Sequence, residues 1–490
     1  KSVIIILSSM ILASDAKEGK MRRHGWKVLA ILLLLLFVAV SILSACSFGR
    51  TNEPGGSEDG QGVDRDGKAP GDNGNDESGE QQEQGLEDSK GDGHEPGQGE
   101  QQSQKDNAQD GEDSQAPSLE DQIEGYISRM TLEEKVGQML IVGFDGFEPS
   151  QAIKDMIQNY HVGSVILFAR NVKDSMQLVS LINQLKAFNE GNPLPLIISA
   201  DQEGGKVTRL PKDATHFPAN LVWGKQNSTQ LAYDVGRVTA VEMRAYGFNL
   251  NFAPVLDVFS NPKNTVIGER ALGTTPDTVA QLGVALMKGL KDGGIIPVIK
   301  HFPGHGDTVV DSHVDLPMVD HDMQRLRSFE LVPFERAIEE GADMVMVAHI
   351  LFPNITEEKV PASLSREIIT GVLRQELGFD GVVISDDMEM GAIQKHYGME
   401  DAAVRAVLAG TDIVSICHTY EKQKQAFEAI IQAVHSGKIP VERIDESVRR
   451  IIALKLKYGL SDQPVDASSI SQMVGTEEHR AVADKAWGRE

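Results

Sequence analysis

Three histidines and two aspartates fall within the fourteen residues Lys300-His301-Phe302-Pro303-Gly304-His305-Gly306-Asp307-Thr308-Val309-Val310-Asp311-Ser312-His313. Proline fixes the backbone here and glycine admits conformations closed to other residues, so the loop reads as a specific shape that holds its side chains for chemistry. Two chemistries fit. His301, His305, Asp307 and His313 are metal-ligand types. Alternatively Asp311, two residues before His313, orients that imidazole and favours its protonated form, making a metal-free acid/base pair. The plain reading is a loop whose histidines satisfy backbone groups. Further polar clusters each follow an apolar run: Asp201-Gln202-Glu203-Gly204-Gly205 and Ser385-Asp386-Asp387. A carboxylate such as Asp386 can act as a nucleophile, while a lone Asp201 reads by default as a helix N-cap. Arg209 and Arg270, taken singly, read as surface ion-pairing groups.

The elements that would position these residues are periodic. Eight short apolar runs, Met139–Phe144, Val162–Phe168, Leu194–Asp201, Phe248–Asp257, Ile295–His301, Ala342–His349, Gly381–Asp386 and Asp412–Ile416, alternate with amphipathic stretches. Those stretches include Asp174–Phe188, Thr229–Tyr246, Pro276–Lys291 and Met323–Glu340. Continuous β-branched runs between helices imply parallel strands buried on both faces. Eight β/α units over about 330 residues predict an α/β fold of the closed (β/α)8, TIM-type class, with the polar clusters at the strand C-termini where such barrels carry their sites. Asp257 and His349 end two of the runs and read equally as pocket lining or structural hydrogen bonding. Asp387 reads as structural, because adjacent strand side chains point to opposite sides.

Outside the barrel the chain is of a different character. It has 490 residues, net charge −25 and two cysteines, too few for a disulfide framework. Residues 51–120 hold 20 acidic residues against 4 basic and no aromatic, a net of −16, so this stretch cannot bury enough surface to fold. It is expected to be a disordered tether spanning on the order of 45 Å. Such acidity without a basic stripe argues against nucleic acid as a partner. Residues 1–20 read either as read-through upstream of a start at Met21 or as part of a longer chain. From Met21 a basic segment precedes the apolar run Val28–Ile42 and then Leu43-Ser44-Ala45-Cys46. This order resembles a bacterial lipoprotein signal, with Cys46 as the lipidated residue, and the competing reading is an ordinary signal anchor or secretion signal. Cys417, inside a strand-like run, reads as a small buried hydrophobe. The expected organisation is a signal segment at 1–46, an acidic linker at 47–118, the barrel at 119–460, and a linker or the start of a second α/β domain at 461–490.

Lys-His-Phe-Pro-Gly-His-Gly-Asp-Thr followed by Asp-Ser-His resembles the N-acetylglucosaminidase branch of the family-3 glycoside hydrolases. Ala200–Gly205 with Arg209, Asn251–Asp257, Ile267–Gly273 and Val383–Met390 match the same pattern in the same order, over about residues 121–460. The resemblance implies Asp386 as nucleophile, His313 as acid/base with Asp311 as its partner, and Asp201, Arg209, Arg270, Lys300 and His301 as sugar-binding residues. It implies no metal and no cofactor. The implied activity is retaining hydrolysis of β-linked N-acetylglucosamine, with peptidoglycan fragments as the expected substrate, performed on the outer face of a bacterial membrane. The alternatives are a phosphorolytic form of the reaction, a metal-dependent barrel hydrolase, and a tethered glycan-binding protein without activity. Nothing in the sequence specifies an oligomeric state.

Overall fold

The computed structural model describes residues 117–489. Cys46, the apolar run before it and almost all of the acidic linker lie outside them. The described chain forms a closed barrel of eight parallel strands in sequential order: β1 Leu140–Val142, β2 Ser164–Ile166, β3 Ile197–Ala200, β4 Leu250–Asn251, β5 Ile296–Phe302, β6 Met344–Val347, β7 Val382–Asp387 and β8 Ile413–Ile416, with β8 pairing back onto β1. Every expected run coincides with a strand, although β5 and β7 each continue one residue past the run, to Phe302 and Asp387. The strands are buried nearly throughout, because the barrel interior covers one face and the outer helices the other.

Local signals explain where the helices begin. Asp174, Ser228 and Thr275 cap the Ser175–Phe188, Thr229–Tyr246 and Pro276–Asp292 helices, each side chain accepting from a backbone N–H of the first turn. The expected Met323–Glu340 helix is instead broken into Met323–Arg325, a wide-turn segment Leu326–Glu330 and Val332–Glu339. Pro333 has no N–H to offer Phe329, and Leu331 N donates five residues back to Leu326 O, which sets the wide turn. β4 is also shorter than its apolar run. Past Asn251 the chain leaves regular pairing at Pro254 but stays beside β5: Val298 N donates to Ala253 O, Lys300 N to Pro254 O and Leu256 N to Lys300 O.

Residues 462–487 pack on the barrel. Asp462 accepts from Leu196 N at 3.0 Å and Asn189 Nδ2 at 2.7 Å, and the Glu477–Ala486 helix lies against Thr229–Tyr246.

The floor of the barrel carries a buried cation. Lys455, on the Val441–Lys457 helix, donates to Gln138 Oε1 at 2.7 Å, Gly163 O at 3.1 Å and Pro195 O at 2.7 Å, all just before β1, β2 and β3. None of these acceptors is charged, and burial pushes the ammonium down to about 7. Between that value and the ordinary lysine range only the unfolded chain holds the proton, so this group makes stability climb as pH rises from about 7 towards 10. Chemical denaturation at pH 7 and 9.5 is expected to show this gain in the wild type and to lose its Lys455 share in Lys455→Met.

Candidate active site

A cavity of about 340 Å³ opens at the C-terminal ends of the strands and is lined by Asp201, Glu203, Arg209, Arg270, Lys300, His301, His313 and Asp386 among others. All five expected sugar-binding residues thus face one cavity with the expected nucleophile and acid/base.

The cavity wall is built on charge. Lys300, from β5 and almost wholly buried, donates to Asp201 Oδ1 and lies beside Glu203 Oε1, both at 2.7 Å. Glu203 also receives a two-pronged contact from Arg270, Nε to Oε2 at 2.8 Å and Nη2 to Oε1 at 2.7 Å. Burial would raise the Glu203 carboxyl, but Arg270 and Lys300 drive it far below the usual carboxylate range. The Arg270 guanidinium is raised in return. The surface ion-pair reading of Arg270 therefore fails: its partner is a buried carboxylate in the cavity wall. Arg209 lines the cavity but differs: among the described residues its guanidinium donates only to Thr208 O, at 3.2 Å, and its Nε is buried without a partner. A buried donor left without an acceptor is costly.

Asp257 and His349 serve as supports. Asp257 is fully buried, sits 2.6 Å from His301 Nδ1 and accepts from His305 N at 2.6 Å. Despite burial, the two histidines keep its carboxyl low. Holding Nδ1 fixes the His301 ring and leaves Nε2 near Arg270 Nη2, at 3.4 Å. His349 Nε2 donates to Asp387 O at 3.0 Å, with Ser363 Oγ 2.6 Å from Nδ1. Structural hydrogen bonding describes both residues.

Asp386 ends β7. Burial would raise its carboxyl, yet His349, His301 and the Asp387 N–H at 2.8 Å hold it below the usual value, so it is ionised at neutral pH. His349 is itself pushed down by burial. It therefore faces Asp386 as a cation only under acid conditions, whereas the backbone donor acts at every pH. Asp387 lines the same cavity, because the β7–β8 register shifts between Ile384 and Asp387, which removes the strict alternation expected from the sequence. Its bonds are nonetheless structural: Oδ1 accepts from Glu389 N and Cys417 N, and Oδ2 lies 2.9 Å from His418 Nε2.

His313 sits on the loop after β5, 65% exposed, with Nδ1 2.9 Å from Asp311 Oδ1. Two close approaches seat this loop. A Cβ on Gly306 would lie 1.8 Å from Val258 O, and one on Gly391, just past β7, would lie 2.6 Å from His313 O. His305 ties the loop from inside, with Nε2 3.1 Å from Ser312 Oγ and Nδ1 2.8 Å from Thr308 Oγ1. Burial lowers it to about 4, so it is neutral at pH 7. The metal reading of this loop finds no geometric support. His301 is held by Asp257, His305 by Ser312 and Thr308, Asp307 by His321 at 2.8 Å, and His313 by Asp311. Among the described residues no three His, Cys, Asp or Glu side chains converge on a metal position.

The cavity also contains residues that sequence reasoning did not select. Glu203 was legible only as a neighbour of Asp201. Phe168 and His418 stack at 5.3 Å, and Glu389 accepts from His418 N and Thr419 N. The strand-end rule that pointed to Asp201 applies equally to Phe168 after β2 and His418 after β8. Cys417 is buried as expected, its thiol pushed well up by burial, and it also lines the cavity.

Replacing Glu203 by Gln would leave Lys300 sharing only Asp201 and Arg270 without its carboxylate. We expect Glu203→Gln to cost about 3–5 kcal/mol of stability at pH 7 in urea unfolding. Because the folded-state pKa of Glu203 is depressed, its contribution is present above about pH 4.5 and is lost as pH falls. The deficit should therefore shrink in acid.

Residues 131–454 match the model of the glycosyl hydrolase family 3 N-terminal domain. The chain is 36% identical over 355 residues to beta-hexosaminidase A of Pseudoalteromonas piscicida, covering 67% of this chain but 58% of that protein. It is 34% identical to beta-hexosaminidase LpqI of Mycobacterium tuberculosis, covering 68% of this chain and 84% of that one. Its fold matches a family-3 beta-N-acetylglucosaminidase from Paenibacillus sp. str. FPU-7 at a TM-score of 0.69 and 44% identity, over 73% of this chain and 68% of that one. The chain belongs to glycosyl hydrolase family 3.

Proposed function

We propose that the protein removes β-linked N-acetylglucosamine from glycans, peptidoglycan fragments among them, by a double displacement that retains the β configuration. One observation carries the reading: an ionised, half-buried carboxylate, Asp386, lines the same cavity as His313, whose imidazole is held by Asp311. The names of the relatives support the sugar.

In the first step an Asp386 oxygen bonds to the anomeric carbon as the glycosidic C–O bond breaks, and His313 Nε2 gives its proton to the departing oxygen. In the second step His313 takes a proton from water, the resulting hydroxide attacks the anomeric carbon, and the bond to Asp386 breaks. Asp311, holding Nδ1, keeps Nε2 available for both transfers. Asp201, Arg209, Arg270, Lys300 and His301 are assigned to the hydroxyls of the sugar, where charged hydrogen bonds discriminate strongly against an analogue lacking one. Lipidation at Cys46 would hold this domain through the acidic linker on the outer face of a bacterial membrane, within reach of wall fragments.

With an aryl N-acetyl-β-glucosaminide, proton NMR should detect the β-anomer as the first product, and initial release of the α-anomer would overturn the mechanism. Asp386→Ala should lower kcat by about 10⁴-fold or more, with azide restoring turnover to an inverted glycosyl azide. His313→Ala should cost about 10²–10⁴-fold with a poor leaving group and less with an activated aryl one.

A further inference from the structure

We propose that residues 475–487, which lie beyond the span matched to the family, act as a strap that positions Arg209, with Glu242 as the junction. This rests on the reading of Arg209 as a sugar-binding residue.

Glu242 lies on the Thr229–Tyr246 helix with its side chain 1% exposed. A buried carboxylate is costly unless donors surround it, and this one has four from two separate segments. Thr215 supplies its N–H to Oε2 and its Oγ1–H to Oε1, each at 2.7 Å. Gly475 N donates to Oε1 at 2.8 Å, and His479 Nδ1 lies 2.8 Å from the same oxygen. Thr215 belongs to the long connection after β3 that carries Arg209. One carboxylate therefore joins the sugar-site loop to the strap.

Direct contacts reinforce the junction. Gly475 has φ +59°, and a Cβ there would lie 2.2 Å from Asp213 O, so the strap rests on the loop backbone itself. Trp487 Nε1 donates to His216 O at 3.3 Å, and Gln226 Nε2 donates to Lys485 O at 2.9 Å. On the loop's inner side, Gln202 Oε1 accepts from both Arg209 N at 2.7 Å and Leu210 N at 3.1 Å. The segment from Arg209 to Thr215 is thus pinned at one end by Gln202 and at the other by Glu242.

The pinning matters because the two cavity arginines are held differently. Arg270 is locked at its guanidinium by Glu203, so its head stays in place whatever its backbone does within limits. Among the described residues Arg209 has no carboxylate partner and its Nε has none at all, so the position of its head follows the position of its backbone. Loosening the strap should shift Arg209 while leaving Asp386 and His313, on other connections, undisturbed.

The test is steady-state kinetics of the full chain with an aryl N-acetyl-β-glucosaminide. His479→Ala and Glu242→Gln are expected to raise KM by about 5- to 10-fold with kcat within about twofold, the signature of lost uniform binding. His479→Gln, which can still donate to Glu242, should recover most of the wild-type KM. Lys455→Met, on the opposite end of the barrel, serves as the stability control. If it raises KM as much as His479→Ala does at a matched loss of Tm, the effect is general loosening and the strap proposal is wrong. A wild-type KM in His479→Ala, alongside a raised KM in Arg209→Ala, also overturns the strap. A wild-type KM in Arg209→Ala would instead remove the sugar-binding reading on which the strap depends.

Discussion

The Glu203 carboxylate, shared between Arg270 and Lys300, is the constraint around which the cavity is arranged. Its three members come from connections after β3 and β4 and from β5 itself, so one buried group makes three parts of the barrel rim mutually dependent. Two anions, Asp201 and Glu203, face two cations, Lys300 and Arg270, so this quartet balances in charge although every member is charged. A buried charge whose partner is displaced is penalised heavily, which is why such a quartet resists deformation even if it adds little net stability. Arg209 stands outside this balance as an unneutralised donor. A balanced, fixed quartet with one uncommitted cation beside it can bind an uncharged sugar without first breaking an ion pair.

The same economy of fixed groups continues across the cavity. Asp257 holds His301 and the start of the loop after β5 at once, and a neutral His305 closes that loop onto itself through Thr308 and Ser312. The loop then meets the residues after β7: Ser312 O and His313 O accept from Ala392 N and Gly391 N, and the missing side chain at Gly391 permits the approach. Asp386 and His313 are far apart in sequence but are joined by this backbone contact. Their relative position is therefore set by the packing of two connections, not by a bond between the two side chains.

The barrel was legible because its signals are local and repeated. Each strand falls in a short apolar run between amphipathic helices, and every such run overlaps a strand. What the pattern did not show was where regular pairing stops, since that depends on Pro254 and on the irregular registers at the ends of β5 and β7. At the site, the Asp311–His313 pair could be read from spacing because its members are two residues apart. Glu203 with Arg270, 67 positions apart, could not. Taken alone Arg270 looked like a surface charge and Glu203 was only one member of a polar cluster, and only tertiary contact pairs them around a buried carboxylate. His418 and Phe168 carried no sequence signal beyond following a strand. The expectation for Asp387 was sound in outcome but not in reasoning, because the register shift, not alternation, governs where its side chain lies.

The proposed chemistry demands different surroundings for its two principal groups, and the structure provides them. A nucleophilic carboxylate benefits from losing part of its water shell while staying ionised, and Asp386 is half-buried beside the Asp387 N–H and two histidines that hold its carboxyl low. The acid/base group must deliver a proton in one step and recover one from water in the next, so it cannot be sealed away. His313 is exposed, and its link to Asp311 fixes the ring without enclosing it. Placing the nucleophile at a strand end and the acid/base on a loop satisfies both demands, because the strand end is desolvated by the barrel and the loop is not.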